Sequence, residues 1–360
     1  MSTRGLVLCF IGALLHWSTA FGQRSPFNGL EVLPADSTGH YRILIGGHFH
    51  GESTNRSGYP AATLLANLDT INNLGANLFL STGDLFMDAE KDSARYARAF
   101  FSKLKVPFFN APGNHDIDGA VATPLPAPFS IHPPGNPFCL DRFVVIDTEE
   151  PDLEVMADKI KQVLDFVSIP KFTRIDPGQA VSQVFIFSHR PIWAEDDPQY
   201  SDLFKDNTRS LTGTNFQKDV YPILQEIAKH ADVYWISGSL GGGAPSSIFF
   251  QEHAPNNLSR HSGITYIQCA IRDEPRDALL IADVYPDSVK WSALSLTGQH
   301  LQAPETYNAA WWRKQRGEGE GFNWRLLPYK MKVIVTHRAF WWGAACALLI
   351  VFVVRRFLRR

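Results

Sequence analysis

The chain has 360 residues, of which 45% are hydrophobic and 19% are charged, and its formal net charge is -2. These ordinary globular values exclude an intrinsically disordered protein. The slightly negative charge excludes the basic footprint of a nucleic-acid-binding protein, so we expect no nucleic acid among its partners.

The first predicted element is a secretory signal peptide in residues 1–22. Arg4 precedes an apolar stretch at residues 6–15, and the small residues Ser18 and Ala20 follow it. This order of charged, apolar and small residues is typical of a signal peptide that is removed after export. We therefore expect the rest of the chain to lie outside the cytosol, in a periplasm, a lumen or the cell exterior.

A single α/β domain is predicted over residues 40–300, because β-rich stretches alternate with amphipathic helices. The predicted strands are residues 43–45, 78–80, 106–109, 184–187 and 233–236, and the helices are residues 61–74, 93–104, 153–167 and 220–230. A Pro-rich stretch at residues 123–137 is predicted to be a surface loop near the site. Ligands of α/β sheets bind at the carboxyl ends of the strands, so polar residues there indicate the functional site.

Polar clusters follow these strands in a fixed order. They are His-Phe-His at 48–50, Gly-Asp at 83–84, Gly-Asn-His-Asp at 113–116, Ser-His at 188–189 and Gly-Ser-Leu-Gly at 238–241. Each cluster alone is uninformative, but the ordered set resembles the calcineurin-like metallophosphoesterases over residues 42–295. That family reads D-x-H, G-D-x-x-D, G-N-H-D or G-N-H-E, a lone H, and G-H-x-H. The resemblance implies an α/β fold, a two-sheet β-sandwich flanked by helices, around two metal ions.

Four positions depart from the family pattern. His48 stands where the first motif has an aspartate, and Ser239 and Gly241 stand where the last motif has two histidines. Asp88 lies one place later than the second aspartate of the Gly-Asp motif, so Asp84 is the carboxylate that remains. Because metal affinity depends on ligand number and charge, we expect one divalent ion, Mn, Zn or Fe, with a pair of ions as the alternative.

Two arrangements could hold that ion. Residues two apart on a strand point to the same face, so His48 and His50 can bind it together with Asp84. The alternative uses Asp84, Asn114 and His189, which match the family's other metal position. Either arrangement leaves coordination open for water and substrate.

The resemblance also implies the chemistry, which is attack of metal-bound hydroxide on a phosphorus centre. His115 would lie beside the scissile ester and stabilise or protonate the leaving oxygen, with Asp116 or Asp84 orienting it. We expect a phosphorylated small molecule or a lipid-linked phosphate as substrate. Three residues near the motifs could contact an anionic or ring-bearing group of it, namely Arg190, Trp193 and Tyr59.

A membrane anchor is predicted at the C-terminus. Residues 301–332 form a juxtamembrane linker, residues 333–356 a transmembrane helix, and a basic cytoplasmic tail extends to residue 360. Within the anchor, residues 339–354 carry no charge and span roughly 24 Å as a helix, so the flanking Arg338 and Arg355 would snorkel. A buried core helix is the alternative. Cys139 and Cys269 could pair in an oxidising compartment.

Three functions follow from these observations. The first is a membrane-anchored, extracytoplasmic, metal-dependent phosphoesterase, and the second is a catalytically inactive relative that binds a partner or acts as a scaffold. The third takes the two histidines and one carboxylate as a redox iron site. Convergence of the five proposed metal ligands on one point would favour the first, whereas His48 or His189 turned away into packing would favour the second.

Overall fold

The structure is a computed structural model. It describes residues 23–52, 55–116, 128–131, 139–150, 180–204, 213–238, 247–253, 263–315 and 338–358, with isolated positions between 154 and 161 and between 327 and 335. The predicted signal peptide, Ser239 and Gly241, and most of the predicted loop 123–137 and helix 153–167 lie outside the described residues.

The described residues form eleven strands in two sheets. They are β1 (Tyr41–Gly46), β2 (Leu78–Ser81), β3 (Phe108–Asn110), β4 (Phe129–Ile131), β5 (Cys139–Ile146), β6 (Ala180–Ser188), β7 (Asp232–Ser237), β8 (Ser247–His253), β9 (Ile264–Ala270), β10 (Ala278–Tyr285) and β11 (Ser288–Ser295). The first sheet has the order β11-β10-β1-β2-β3, and the second has the order β4-β5-β6-β7-β9-β8. All five predicted strands are confirmed.

Parallel pairing brings the polar clusters to one edge. In the first sheet β1, β2 and β3 are parallel, and in the second β5, β6, β7 and β9 are parallel. Antiparallel strands complete both sheets, so β10 and β11 extend the first and β4 and β8 close the second. The carboxyl ends of the parallel strands therefore deliver the segments that follow them to neighbouring positions.

The two sheets pack face to face. A buried cluster joins Ile43, Leu80 and Leu280 of the first sheet to Phe185 and Ile267 of the second. Two further clusters lie on the outer faces, where helices cover each sheet. The predicted two-sheet sandwich flanked by helices is confirmed.

Short helices connect the strands. They are α1 (Ala62–Ala66), α2 (Leu68–Asn72), α3 (Ala89–Tyr96, continued by a π-helical turn at Ala97–Phe101), α4 (Ser201–Phe204), α5 (Tyr221–Ala228, preceded by a π-helical turn at Phe216–Val220), α6 (Ala309–Lys314) and α7 (Arg338–Leu358). The predicted helix 61–74 is divided at Asn67, whose side-chain amide donates to the carbonyl of Leu296 at 2.7 Å. The predicted helix 93–104 starts earlier because the Asp88 side chain accepts from the Lys91 N–H and caps α3.

The C-terminal segments differ from one another. Helix α6 lies within the predicted linker, yet it packs on the domain, since the Trp312 indole donates to the Ile248 carbonyl at 3.0 Å and Arg313 pairs with Asp202 at 3.0 Å. Helix α7 has 21 residues, is apolar enough to cross a membrane, and buries none of its apolar window. Helix α7 is therefore not a buried core helix, which was the alternative.

Cys269 is a free thiol buried inside the sandwich. Its Sγ lies 3.6 Å from the carbonyl of Ile45 and 3.7 Å from that of Ala278. The possible pairing of Cys269 with Cys139 is therefore not formed.

Candidate metal centre

Three histidines converge on one carboxylate oxygen at the carboxyl edge of the sheets. The Oδ2 atom of Asp84 lies 3.4 Å from Nε2 of His189, 3.5 Å from Nε2 of His48 and 3.7 Å from Nε2 of His50. The four side chains follow β1, β2 and β6, and all are buried. Four of the five predicted ligands are therefore brought together.

These contacts are not hydrogen bonds. Each is longer than the distance at which an N–H donates to a carboxylate, and none of the three Nε2 atoms has a hydrogen-bond partner. Buried polar atoms left unpaired cost roughly 1–3 kcal/mol each. A cation between them would satisfy all three nitrogens and the carboxylate together, so this donor set fits a divalent metal ion. Ligand atoms of His48, His50 and Asp84 lie within 4.8 Å of one another, as a shared ion requires.

The tautomer of His189 is fixed for metal binding. Its Nδ1 lies 2.9 Å from the carbonyl oxygen of Thr82. A carbonyl can only accept, so Nδ1 carries the proton and Nε2 presents its lone pair to the site. Gly83 makes room for this ring, because a Cβ there would lie 2.5 Å from Nδ1.

The backbone at two of the donors is left-handed. His48 has φ of 53° and Asp84 has φ of 56°, a region that residues other than glycine rarely adopt. The conformation is held by the His48 N–H, which donates to the Gly83 carbonyl at 2.8 Å, and by the His115 N–H, which donates to Asp84 Oδ1 at 3.1 Å. Such strain persists only where surrounding contacts determine it, and it concentrates at functional sites.

Burial and charge set the protonation states. Burial lowers the pKa of His48 well below its ordinary value, against an opposing effect of Asp84. Burial would raise the pKa of Asp84, but the neighbouring His189, His48 and His50 outweigh it and hold that pKa well below its ordinary value. Neutral imidazole and ionised carboxylate are the forms that bind a metal.

The fifth predicted ligand, Asn114, contacts an arginine. Its Oδ1 lies 3.5 Å from Nη2 of Arg190, and Arg190 forms a two-point ion pair with Glu149, with Nε to Oε1 at 2.6 Å and Nη2 to Oε2 at 2.5 Å. Glu149 was not among the predicted site residues. It follows the apolar end of β5 just as the other polar clusters follow their strands, and that signal could have found it.

Comparison with known proteins decides the family. A sequence model described as Calcineurin-like phosphoesterase matches residues 57–240, slightly more than half of the chain. The chain belongs to this family. Membership supports a metal-dependent phosphoesterase, and no curated protein matches the chain in sequence.

Solved structures similar to this chain include three with low identity. A purple acid phosphatase from yellow lupin (Lupinus luteus) seeds is 11% identical with a TM-score of 0.46, over 75% of this chain and 54% of that one. A dimetal phosphatase from Danio rerio is 14% identical with a TM-score of 0.44, over 72% and 97%. A predicted phosphoesterase from Streptococcus pneumoniae is 12% identical with a TM-score of 0.29, over 71% and 90%. The chain spans about half the length of the lupin phosphatase.

The two residues predicted to be catalytic have different surroundings. His115 is half-buried, its ring centre lies 5.3 Å from that of His50, and its Nδ1 lies 3.1 Å from the Met87 carbonyl. Asp116 is buried, and both of its oxygens accept hydrogen bonds, from the backbone N–H groups of Leu85, Phe86 and Gly113 and the side chain of Asn110. The His115 ring is therefore oriented by Met87, not by Asp116 or Asp84 as the resemblance implied, and Asp116 ties together the loops after β2 and β3.

Two residues predicted to lie near a substrate are occupied elsewhere. Trp193 is fully buried, its indole stacks on Tyr266 with ring centres 4.9 Å apart, and its N–H donates to Ser237. The Tyr59 ring faces the guanidinium of Arg95 at 5.9 Å. Of the three candidates for substrate contact, this leaves Arg190 beside the metal donors.

Proposed function

We propose that this chain is a membrane-anchored, extracytoplasmic phosphoesterase that hydrolyses a phosphate ester with the help of a divalent metal ion. The observation that carries the proposal is the set of three unpartnered Nε2 atoms around the Asp84 carboxylate. The substrate class is a phosphorylated small molecule or a lipid-linked phosphate.

We assign His48, His50, Asp84 and His189 as the residues that hold the ion. The two predicted arrangements share Asp84, and the Nε2 of His189 lies as close to it as those of His48 and His50. This favours one combined donor set, in which Asn114 either adds its Oδ1 or faces the substrate. When bound, Mn, Zn or Fe would supply a Lewis acid that makes water a better nucleophile and offsets phosphoryl charge.

His115 is the proposed group for the leaving oxygen. It is half-buried beside His50, so it can reach both solvent and the donor set. The Met87 carbonyl holds the proton on Nδ1, which leaves Nε2 to exchange a proton with the leaving group. Asp116 supports this role from a distance, because it fixes the loop that carries His115.

The remaining parts of the proposal concern location. Helix α7 is roughly 32 Å long, close to the thickness of the hydrocarbon core. Trp341 and Trp342 are 62% and 73% exposed near its start, where an interfacial belt is expected, and Arg355 and Arg356 lie in its last turn. With residues 1–22 as a signal peptide and these arginines on the cytoplasmic side, we infer that the domain lies outside the cytosol and the basic tail inside it. Because α6 packs on the domain, we place the linker after residue 315 and not at 301.

The test uses the full-length protein in detergent micelles. Metal content is measured, and hydrolysis of p-nitrophenyl phosphate is followed with added Mn²⁺ or Zn²⁺. We expect one ion per chain, and a loss of activity on the order of 10²-fold or more in Asp84→Ala. Asp141→Asn is the matched control, because Asp141 is an equally buried carboxyl near the amino end of β5, on the opposite side from the site.

Two results would count against the proposal. Activity that survives Asp84→Ala would show that the donor set is not the catalytic centre. A protein that takes up no metal and turns over no substrate would favour the inactive binding or scaffold protein.

A further inference from the structure

The guanidinium of Arg190 donates hydrogen bonds from one of its edges, and its other edge is available to a ligand. Its side-on edge, Nε and Nη2, donates to the two carboxylate oxygens of Glu149. On its end-on edge, Nη2 makes a long contact of 3.5 Å to Asn114 Oδ1, and Nη1 donates to no group in the part of the chain that the structure describes. A guanidinium offers five N–H donors in a rigid fork, so a second pair of donors remains for a ligand.

This arginine is held in place before any ligand binds. Its backbone N–H donates to the Thr148 hydroxyl at 3.0 Å, and its carbonyl accepts from Ser188 at 2.9 Å and Ser237 at 3.3 Å. The side chain of Glu149 is 4% exposed and that of Arg190 is 11% exposed, so the ion pair is shielded while the arginine retains some access to solvent. A group oriented by these contacts loses little further freedom when it binds.

The contact of Arg190 Nη2 with Asn114 brings this edge to the loop that carries His115, whose N–H donates to Asp84 Oδ1 at 3.1 Å. Arg190 directly follows His189, whose Nε2 lies 3.4 Å from Asp84 Oδ2. Asn114 comes from the loop after β3, next to His115. The amide of Asn114 uses its oxygen toward Arg190, and its NH₂ donates to no group in the described ranges. Two kinds of N–H donor therefore lie side by side at the edge where the donor set converges.

We propose that the end-on edge of Arg190 and the amide of Asn114 form an oxyanion subsite for the terminal phosphoryl group of a phosphate monoester. Glu149 is the positioning residue that fixes the guanidinium. The subsite rests on the proposed function, because it serves the same reaction centre. It narrows the substrate class from phosphate esters in general to monoesters.

The preference for a monoester follows from counting oxygens. A bidentate guanidinium contact needs two terminal oxygens on one phosphorus. A monoester has three, so two can face Arg190 while one faces the cation. A diester has only two, and one of them must face the cation, which leaves a single contact for Arg190.

The test separates Arg190 from the ion pair. Glu149→Gln keeps the arginine, and the double variant Glu149→Gln with Arg190→Gln replaces both charges by a neutral pair of similar shape, so no unpaired charge is buried. Full-length proteins loaded with Zn²⁺ in detergent are titrated with inorganic phosphate by calorimetry. We expect the phosphate affinity of the double variant to be roughly tenfold or more below that of Glu149→Gln. Equal phosphate affinity in the two variants would overturn the subsite.

A kinetic comparison excludes a purely structural role. For the double variant we expect kcat/KM to fall at least about tenfold more with p-nitrophenyl phosphate than with bis(p-nitrophenyl) phosphate, mainly through KM for the monoester. A structural defect would lower kcat/KM equally for both substrates, and that result would refute the assignment. A Zn²⁺ titration of the wild type separates the two proposals. If the protein takes up no zinc, both the proposed function and the subsite are wrong. If zinc binds normally but the phosphate affinity does not depend on Arg190, only the subsite is wrong.

Discussion

Alanine in place of Gly113 should disrupt the metal centre without unfolding the domain. A Cβ at this position would lie 2.3 Å from Asp84 Oδ1 and 2.5 Å from the Asp84 backbone N, whereas ordinary contacts begin at 3.4 Å. The loop after β2 must therefore move by about 1 Å, which is large against the ±0.2 Å within which metal–ligand distances are held. The shift would also lengthen or break the hydrogen bond from the His115 N–H to Asp84 Oδ1.

The expected size of the Gly113→Ala effect follows from that displacement. Misplacing the support of a ligand typically lowers metal affinity about 10- to 100-fold, and overpacking a tight contact costs about 1–3 kcal/mol of stability. The first is measured by Zn²⁺ titration against a chromophoric chelator, and the second by urea unfolding of the metal-free protein. Gly75→Ala is the control. Gly75 has φ of 66° and open space around it, so an alanine there adds backbone strain without contacting the site. Wild-type zinc affinity in Gly113→Ala would refute the reasoning.

Three further predictions concern charge, pH and the membrane. Zn²⁺ at roughly 100 times its Kd should stabilise the wild type by about 2.7 kcal/mol, which is roughly 5–10 °C in Tm. Asp84→Asn should lose this shift in Tm because the anionic donor is gone. An equal shift in both proteins would contradict the assignment. Burial raises the pKa of Asp277 from 3.8 to about 8, so between these values the folded protein keeps a proton that the unfolded chain releases. The stability that Asp277 contributes is thus complete at low pH and lost as the pH rises. The free energy of unfolding of the wild type relative to Asp277→Asn, measured by urea titration, should fall by up to about 1.4 kcal/mol per pH unit between pH 5 and 7. A difference that stays constant over this range would contradict the prediction. Deleting residues 338–360 should move the protein from carbonate-resistant membranes to the soluble fraction, and persistent membrane association would argue against α7 as the anchor.

The strands and their edge could be predicted because local pattern determines them. Apolar runs followed by polar residues mark the carboxyl ends of buried parallel strands, and His48, Asp84 and His189 lie where that rule places them. The cap at Asp88 was also readable, since an aspartate before a helix commonly accepts from the third residue along. The comparison with the family motif indicated only that Asp88 is a displaced ligand.

Other features depend on contacts between distant parts of the chain. The division of the first helix follows from a bond between Asn67 and Leu296, and the pairing of Arg190 with Glu149 joins residues 41 positions apart. The left-handed backbone at His48 and Asp84 is likewise set by neighbouring loops and not by the residues themselves. Spacing along the chain carries no information about such contacts.

Zinc-edge X-ray absorption of the Zn²⁺-loaded full-length protein tests the central claim most directly. If the imidazoles of His48, His50 and His189 hold the ion with Asp84, the spectrum will show nitrogen and oxygen neighbours at about 2.0–2.1 Å and outer-shell scattering from about three imidazole rings. Zinc that binds without imidazole scattering, or a spectrum unchanged when His189 is replaced by glutamine, would contradict the account.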